Sequence, residues 1–121
     1  MNLLVIAIGG AIGSVARYLV SMLVLRATGS LFPVGTFAVN AIGCFVFGLI
    51  AGAAEQRIAL PPQTRAFMLV GILGGFTTFS SYAFESFALI RDGQLVWASM
   101  NLVGQVVVGV VGLAAGFALM R

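Results

Sequence analysis

The chain has no histidine and no lysine, and only 7% of its 121 residues are charged. Soluble domains carry about 25% charged residues, so a water-exposed globular surface is excluded. The single cysteine, Cys44, has no partner for an internal disulfide and lies in an apolar run, as a small packing residue would. Without histidine, one chain cannot assemble the nitrogen and sulfur ligands of a transition-metal site. The same absences leave Ser80 and Thr77 without a base to activate them, so no nucleophilic enzyme is predicted. A phosphate-binding GxxxxGK[ST] loop is missing, which argues against ATP-driven pumping. The net charge of +3 comes from scattered arginines alone and does not point to a nucleic-acid partner.

What is present is apolar. Hydrophobic residues make up 61% of the chain, and the mean hydropathy is +1.16. A bilayer-crossing helix needs about 20 mostly apolar residues. The pattern therefore predicts an all-α integral membrane protein, one membrane domain over residues 1–121. Its four spans are predicted at about 3–25, 34–54, 64–90 and 95–120. No Lys or Arg precedes the first apolar run, so span one is not predicted to be a cleaved signal peptide. Pro33 suits the first turn of span two, Pro61-Pro62 stop a helix and stiffen the second loop, and Arg91-Asp92-Gly93 predicts a tight turn. Gly29-Ser30 supply the turn of the first loop.

Span three is the exception to this simplicity. Its centre, Gly71 to Glu85, contains the adjacent glycines Gly74 and Gly75, the hydroxyls of Thr77, Thr78, Ser80 and Ser81, and the aromatics Phe76, Phe79, Tyr82 and Phe84. Each glycine costs about 1 kcal/mol against alanine in a helix interior, so the helix is expected to break there. In lipid, broken backbone must be buried in protein or line a wet cavity. Freed carbonyls at such a break suit a cation, and freed N–H groups an anion. A scaffold gains nothing from this feature, so span three is the candidate site.

The other spans add a few polar groups. Arg17 lies inside the apolar limit of span one, and Arg26 already marks its end. Arg17 either snorkels to the interface or faces a vestibule that draws anions in. Thr36 and Asn40 are four apart and share a face of span two. Asn40 is either interhelical glue or a donor aimed into a polar path. In span four Asn101 and Gln105 share a face in the same way. Every span holds one GxxxG pair, namely Gly9/Gly13, Gly48/Gly52, Gly71/Gly75 and Gly112/Gly116, which predicts a tight bundle. Four helices give little wall for a pathway, so a homo-oligomer is expected.

The loop charges are nearly balanced. Arg57, Arg65 and Arg121 with Glu55 fall on one side, Arg26 and Arg91 with Asp92 on the other. Orientation follows the Lys/Arg excess in short loops, and here the excess is one residue. Such a chain is able to insert either way round, and opposed copies would be related by a two-fold axis in the membrane plane.

Three segments in order carry a specific resemblance: Gly9-Gly10-Ala-Ile-Gly13-Ser-Val-Ala-Arg17-Tyr18, Gly35-Thr36-Phe-Ala-Val-Asn40-Ala-Ile-Gly43 and Gly71-Ile-Leu-Gly74-Gly75-Phe76-Thr77-Thr78-Phe79-Ser80. Over nearly its whole length the chain resembles the Fluc family of small four-span bacterial fluoride channels. The resemblance implies an antiparallel dual-topology homodimer with two pores, in the inner (plasma) membrane, exporting fluoride passively. It implies a structural sodium ion held by the backbone carbonyls of Gly74 and Thr77. It also implies a pore lined by Thr36, Asn40, Phe79, Tyr82, Ser80, Ser81, Asn101 and Gln105, with Glu85 beside the pore motif and Arg17 as the span-one arginine. Two features depart from the family. Tyr82 stands where a second pore phenylalanine is usual, and Asn101, Gln105 and Gly109 replace a hydroxyl-bearing track.

The chemistry suits that ion. Fluoride is small and tightly hydrated, so a selective path must replace water with strong donors, which Thr, Ser, Asn and Gln supply. Aromatic ring edges add partial positive charge. The alternative from another class, a proton-coupled small multidrug-type transporter, needs an acid in the middle of span one, and none is there. The charge balance makes a prediction of its own. Two lysines appended after Arg121 should bias insertion to one orientation and reduce function. Co-expression with an oppositely biased variant should restore it. Labelling of a tagged parent chain from one membrane side only would rule out dual topology.

Overall fold

The computed structural model describes residues 3–29, 32–56 and 59–120, so Ser30, Arg57 and Arg121, used in the loop reading, lie outside the described residues. All regular structure in the described residues is helical. Three continuous helices, α1 (Leu3–Thr28), α2 (Val34–Gln56) and α6 (Leu95–Leu119), accompany a composite third span. That span is built from α3 (Pro62–Arg65), a π-helical stretch (Ala66–Ile72), α4 (Leu73–Phe76) and α5 (Phe79–Arg91). Four helical units are long and apolar enough to cross a membrane, and the third is bent.

Local chemistry sets the ends. Gly29, at φ 61°, closes α1 by donating its N–H to the Leu25 carbonyl at 2.8 Å. The Pro33 carbonyl accepts from Phe37 N–H at 3.1 Å, so the proline caps α2. Pro61 caps α3 and Pro62 takes its first position, where a missing N–H is harmless. After α5, Gly93 at φ 76° donates to Ile90 and Gln94 to Leu89, which is the Schellman arrangement and the turn predicted for Arg91-Asp92-Gly93. Arg26 and Arg91 sit in the last turns of α1 and α5, where a cation complements the helix dipole.

The break lies within the expected stretch, just after the two glycines rather than at them. Gly74 and Gly75 remain helical within α4, and the chain extends only at Thr77 (φ −82°, ψ 155°) and Thr78 (φ −145°, ψ 124°). The glycine penalty is small, and α4 offsets it by pressing on α1: a Cβ on Gly75 would stand 2.6 Å from the Gly10 carbonyl oxygen. The π-helical stretch before α4 carries no proline; its widened turn leads into Leu73, whose N–H reaches back to the Met68 carbonyl.

Span three therefore changes partners along its length. The π-helical stretch and α4 pack on α1, whereas α5 packs on α6. Against the first half, a Cβ on Gly13 would fall on the Ile72 carbonyl, and one on Gly9 would stand 2.9 Å from the Phe67 carbonyl oxygen. The α2–α6 pair is closed in the same way, with Gly48 on Leu113 and Gly116 on Phe45. The buried apolar core is thin (Val39, Ala53, Ala66, Leu73, Phe76, Tyr82 and Ala98), while Leu23, Val103, Val110 and many others face outward. That distribution suits lipid, where close backbone approach rather than water exclusion joins helices. Phe32 stacks at a tilt on Trp97 (5.6 Å) and on Phe37 (6.2 Å), an aromatic cluster at the start of α2 and α6.

The glycines are not equivalent. A Cβ on Gly116 would overlap the Phe45 carbonyl, whereas one on Gly112 would stand 3.8 Å from its nearest neighbour, the Ala41 carbonyl oxygen. Gly116→Ala should therefore destabilise the fold by about 1–3 kcal/mol, and Gly112→Ala should leave stability unchanged or raised. Detergent-denaturation midpoints of the two variants check the difference.

Candidate functional site

The site is built on the two extended residues. The Asn40 side chain, on α2, pairs with the Thr78 peptide at both ends: Oδ1 accepts the Thr78 N–H at 2.9 Å, and Nδ2 donates to the Thr78 carbonyl at 3.1 Å. In a continuous helix that N–H would go to the carbonyl four residues back, Gly74. Likewise the Ser81 N–H, which would go to Thr77, is taken at 3.2 Å by the Thr78 hydroxyl, the N-cap of α5. The Gly74 and Thr77 carbonyls thus both lose their helical donors to side chains. Thr77 turns its own hydroxyl back to the Leu73 carbonyl at 2.9 Å. Arg17 donates from Nε to the Gly75 carbonyl at 3.1 Å.

A chain of amides runs back from Asn40. Nδ2 also donates to Gln105 Oε1 (2.8 Å), Gln105 Nε2 to Asn101 Oδ1 (2.8 Å), Asn101 Nδ2 to Ser86 Oγ (2.8 Å) and Ser86 Oγ to the Tyr82 carbonyl (2.8 Å). Asn101 and Ser86 are fully buried. No buried side-chain polar atom among the described residues lacks a partner, as burial of polar groups in an apolar surround requires.

Two cavities meet at the break. A groove of about 390 Å³ is lined by Asn40, Gly74, Thr77, Thr78, Phe79, Tyr82 and Gln105, with apolar walls from Phe47, Leu69 and Leu113 among others. A vestibule of about 470 Å³ is lined by Ser14, Arg17, Ser21, Thr36, Thr78, Ser81 and Glu85. Thr78 belongs to both. In the vestibule Thr36 donates its hydroxyl to Glu85 Oε1. In the groove the Phe79 and Tyr82 rings stand 5.7 Å apart and tilted by 52°, with Phe79 77% exposed and Tyr82 buried.

The expected residues thus divide into two groups. Asn40, Gly74, Thr77, Phe79, Tyr82 and Gln105 gather at the groove, and Arg17, Thr36, Ser81 and Glu85 at the vestibule. Asn101 lies behind Gln105, and Ser80 lies exposed with its hydroxyl 3.4 Å from that of Thr78, outside both linings. Of the two readings of Arg17, the structure has it lining the vestibule, and it also ties down the last turn before the break. The Tyr82 hydroxyl donates to the Leu102 carbonyl.

The CrcB-like protein, Camphor Resistance (CrcB) family profile matches residues 4–117. The chain belongs to the CrcB-like family. It is similar to the fluoride-specific ion channel FluC of Maridesulfovibrio salexigens, 49% identical over 118 residues covering 98% of this chain and 94% of the relative. The corresponding FluC of Chlorobium phaeobacteroides is 46% identical, covering 93% of this chain and 87% of the relative. FluC 2 of Nitrobacter hamburgensis is 42% identical over 121 residues, covering 100% of this chain and 98% of the relative.

In this CrcB-like protein the sequence reading misses Ser86, which closes the amide chain, and the capping role of Thr78. Ser86 had a signal: it follows Phe79 and Tyr82 on one helical face, at spacings of three and four. The two polar anchors differ in what their loss exposes. Tyr82→Phe removes one hydroxyl from a carbonyl and should cost about 1 kcal/mol of stability. Asn40→Leu orphans the Thr78 N–H and the Gln105 carbonyl oxygen, while the Thr78 carbonyl keeps its helical donor, and should cost at least about 2 kcal/mol. Unfolding midpoints in detergent check the ranking.

Proposed function

We propose that the chain is a fluoride channel, exporting fluoride passively across the inner membrane as an antiparallel homodimer with a structural sodium ion. The observation that carries this reading is the wall shared by the two cavities: Thr78 faces a polar vestibule on one side and an aromatic groove on the other, at a break in a membrane helix. The similarity to fluoride-specific ion channels supports the choice of ion.

Arg17 brings a positive charge to the vestibule that Glu85 also lines, and the Ser81 hydroxyl replaces water around an entering anion, the Thr36 hydroxyl being committed to Glu85. Beyond Thr78 the anion meets the Asn40 amide and the edges of the Phe79 and Tyr82 rings, which carry partial positive charge. Phe79 is exposed in one chain, so a second copy against this face completes the wall. No high-energy phosphate is needed. Hydrogen fluoride enters neutral, ionises in the less acidic cytoplasm, and the membrane potential expels the anion. The potential supplies about 2.3 kcal/mol per 100 mV, roughly a 50-fold gradient.

The Gly74 and Thr77 carbonyls fit a hard cation, because both have lost their helical donors and present oxygen alone. Two carbonyls from each of two opposed chains would hold a sodium ion on the two-fold axis. Bound there, the ion supplies positive charge beside the anion path and joins the subunits.

Purified protein in liposomes tests the reading. Fluoride should leave once a potassium ionophore relieves the charge. Equal chloride efflux, or efflux that requires a proton gradient, overturns it. Phe79→Ile keeps bulk and removes the ring quadrupole, so fluoride flux should fall by up to about tenfold with the fold intact. Tyr82→Phe keeps the ring, and its flux should persist. Undiminished flux in a folded Phe79→Ile protein would make the rings mere packing.

A further inference from the structure

Asn40 has two side-chain N–H bonds, and the structure uses both: one on the Thr78 carbonyl, the other on Gln105 Oε1 at 2.8 Å. The Asn40 amide therefore has no spare donor for an anion in the groove it lines. Its carbonyl side is committed too, to the Thr78 N–H at 2.9 Å. Giving up the Thr78 bonds would release the helix break. Giving up the Gln105 bond frees one N–H and leaves the break intact.

We propose that Gln105 is a specificity-determining placeholder: its Oε1 occupies the Asn40 N–H that fluoride takes, so only a strong acceptor displaces it. The proposal rests on the reading of the groove as a fluoride path. Both halides carry a full charge and accept a hydrogen bond more strongly than a neutral amide oxygen does, and fluoride, the smaller ion, does so more strongly than chloride. The exchange for the Gln105 oxygen therefore favours fluoride over chloride. The tether makes the placeholder return. Gln105 Nε2 is held by Asn101 Oδ1, and Asn101 is held in turn by the buried Ser86 hydroxyl, so Gln105 is anchored at its far end while Oε1 yields. Gln105 lines the same groove as Asn40, Phe79 and Tyr82, which gives the displaced oxygen room to move.

Gln105→Met tests this, since it keeps the length of the side chain and removes the competing oxygen. Two readouts are compared with the parent protein: liposome efflux of fluoride and chloride, and the side-chain amide resonances of Asn40 and Gln105 titrated with sodium fluoride or sodium chloride. In the parent, fluoride should move both amide resonances together, and chloride should move them less. In Gln105→Met the fluoride concentration for half-maximal flux should fall about fivefold, the scale of one neutral hydrogen bond, and chloride efflux should rise. Gln105→Glu, whose oxygen is a stronger acceptor, should suppress fluoride flux. Should Gln105→Met fail to assemble, Asn101→Ser loosens the tether and should shift the chloride-to-fluoride ratio in the same direction. A folded Gln105→Met protein with the parental half-saturation and ratio, whatever its stability, makes Gln105 an interhelical tie and overturns the proposal. Fluoride that moves the Asn40 resonance and leaves that of Gln105 in place also overturns it. A parent that carries no fluoride, with both amide resonances still moving, rejects conduction and retains the exchange.

Discussion

The pairing of the Asn40 amide with both ends of the Thr78 peptide is the interaction on which the site depends. A helix left to itself would return the Thr78 N–H to Gly74, and in an apolar surround nothing else would compete for it. The side chain wins because it satisfies donor and acceptor at once, at 2.9 and 3.1 Å. It reaches that far only because α2 lies close to the break. Gly43, three residues after Asn40, has no side chain, and a Cβ there would overlap the Thr77 methyl. The clamp and the close approach are one feature written in two residues of the same helix face.

The break in turn explains the shape of the bundle. A straight third span would have to follow either α1 or α6. Interrupted at Thr77 and Thr78, it follows α1 first and α6 afterwards. The change of partner opens space on both sides of Thr78, and the two cavities occupy it. Arg17 belongs to this geometry as much as to the electrostatics. Its Nε holds the Gly75 carbonyl, so the charge that faces the vestibule also secures the end of α4.

The four spans were legible because long apolar runs have one reading in a chain with so little charge. The loop turns were legible where a single residue type is required, as at Gly93 with its positive φ. The place of the break was legible only roughly. Glycine marks weakness in a helix, but the weakness is about 1 kcal/mol, and packing of Gly75 on Gly10 exceeds it. What decides the break is Asn40, 38 residues earlier, and a capping hydroxyl whose use depends on that partner. The π-helical stretch left no mark in the sequence, since it contains no proline and meets α1 only in the folded bundle. Most of the polar residues that line the two cavities stand out in the sequence through their motifs, whereas their division between groove and vestibule needs the fold.

The amides of α6 show how a departure from a family pattern is absorbed. Asn101 and Gln105 do not stand as a row of free donors along the helix. They turn toward Ser86 on α5 and Asn40 on α2, and each bond in the sequence fixes the orientation of the next amide. Gly109 completes the substitution. A Cβ there would lie 3.2 Å from the Cys44 sulfur, so the thiol on α2 fills the place of the missing side chain. That accounts in one contact for the lone cysteine as packing and for the missing side chain in the α6 track. The polar groups of α6 thereby serve the residue that holds the break, and a change in any of them acts on the pathway through Asn40.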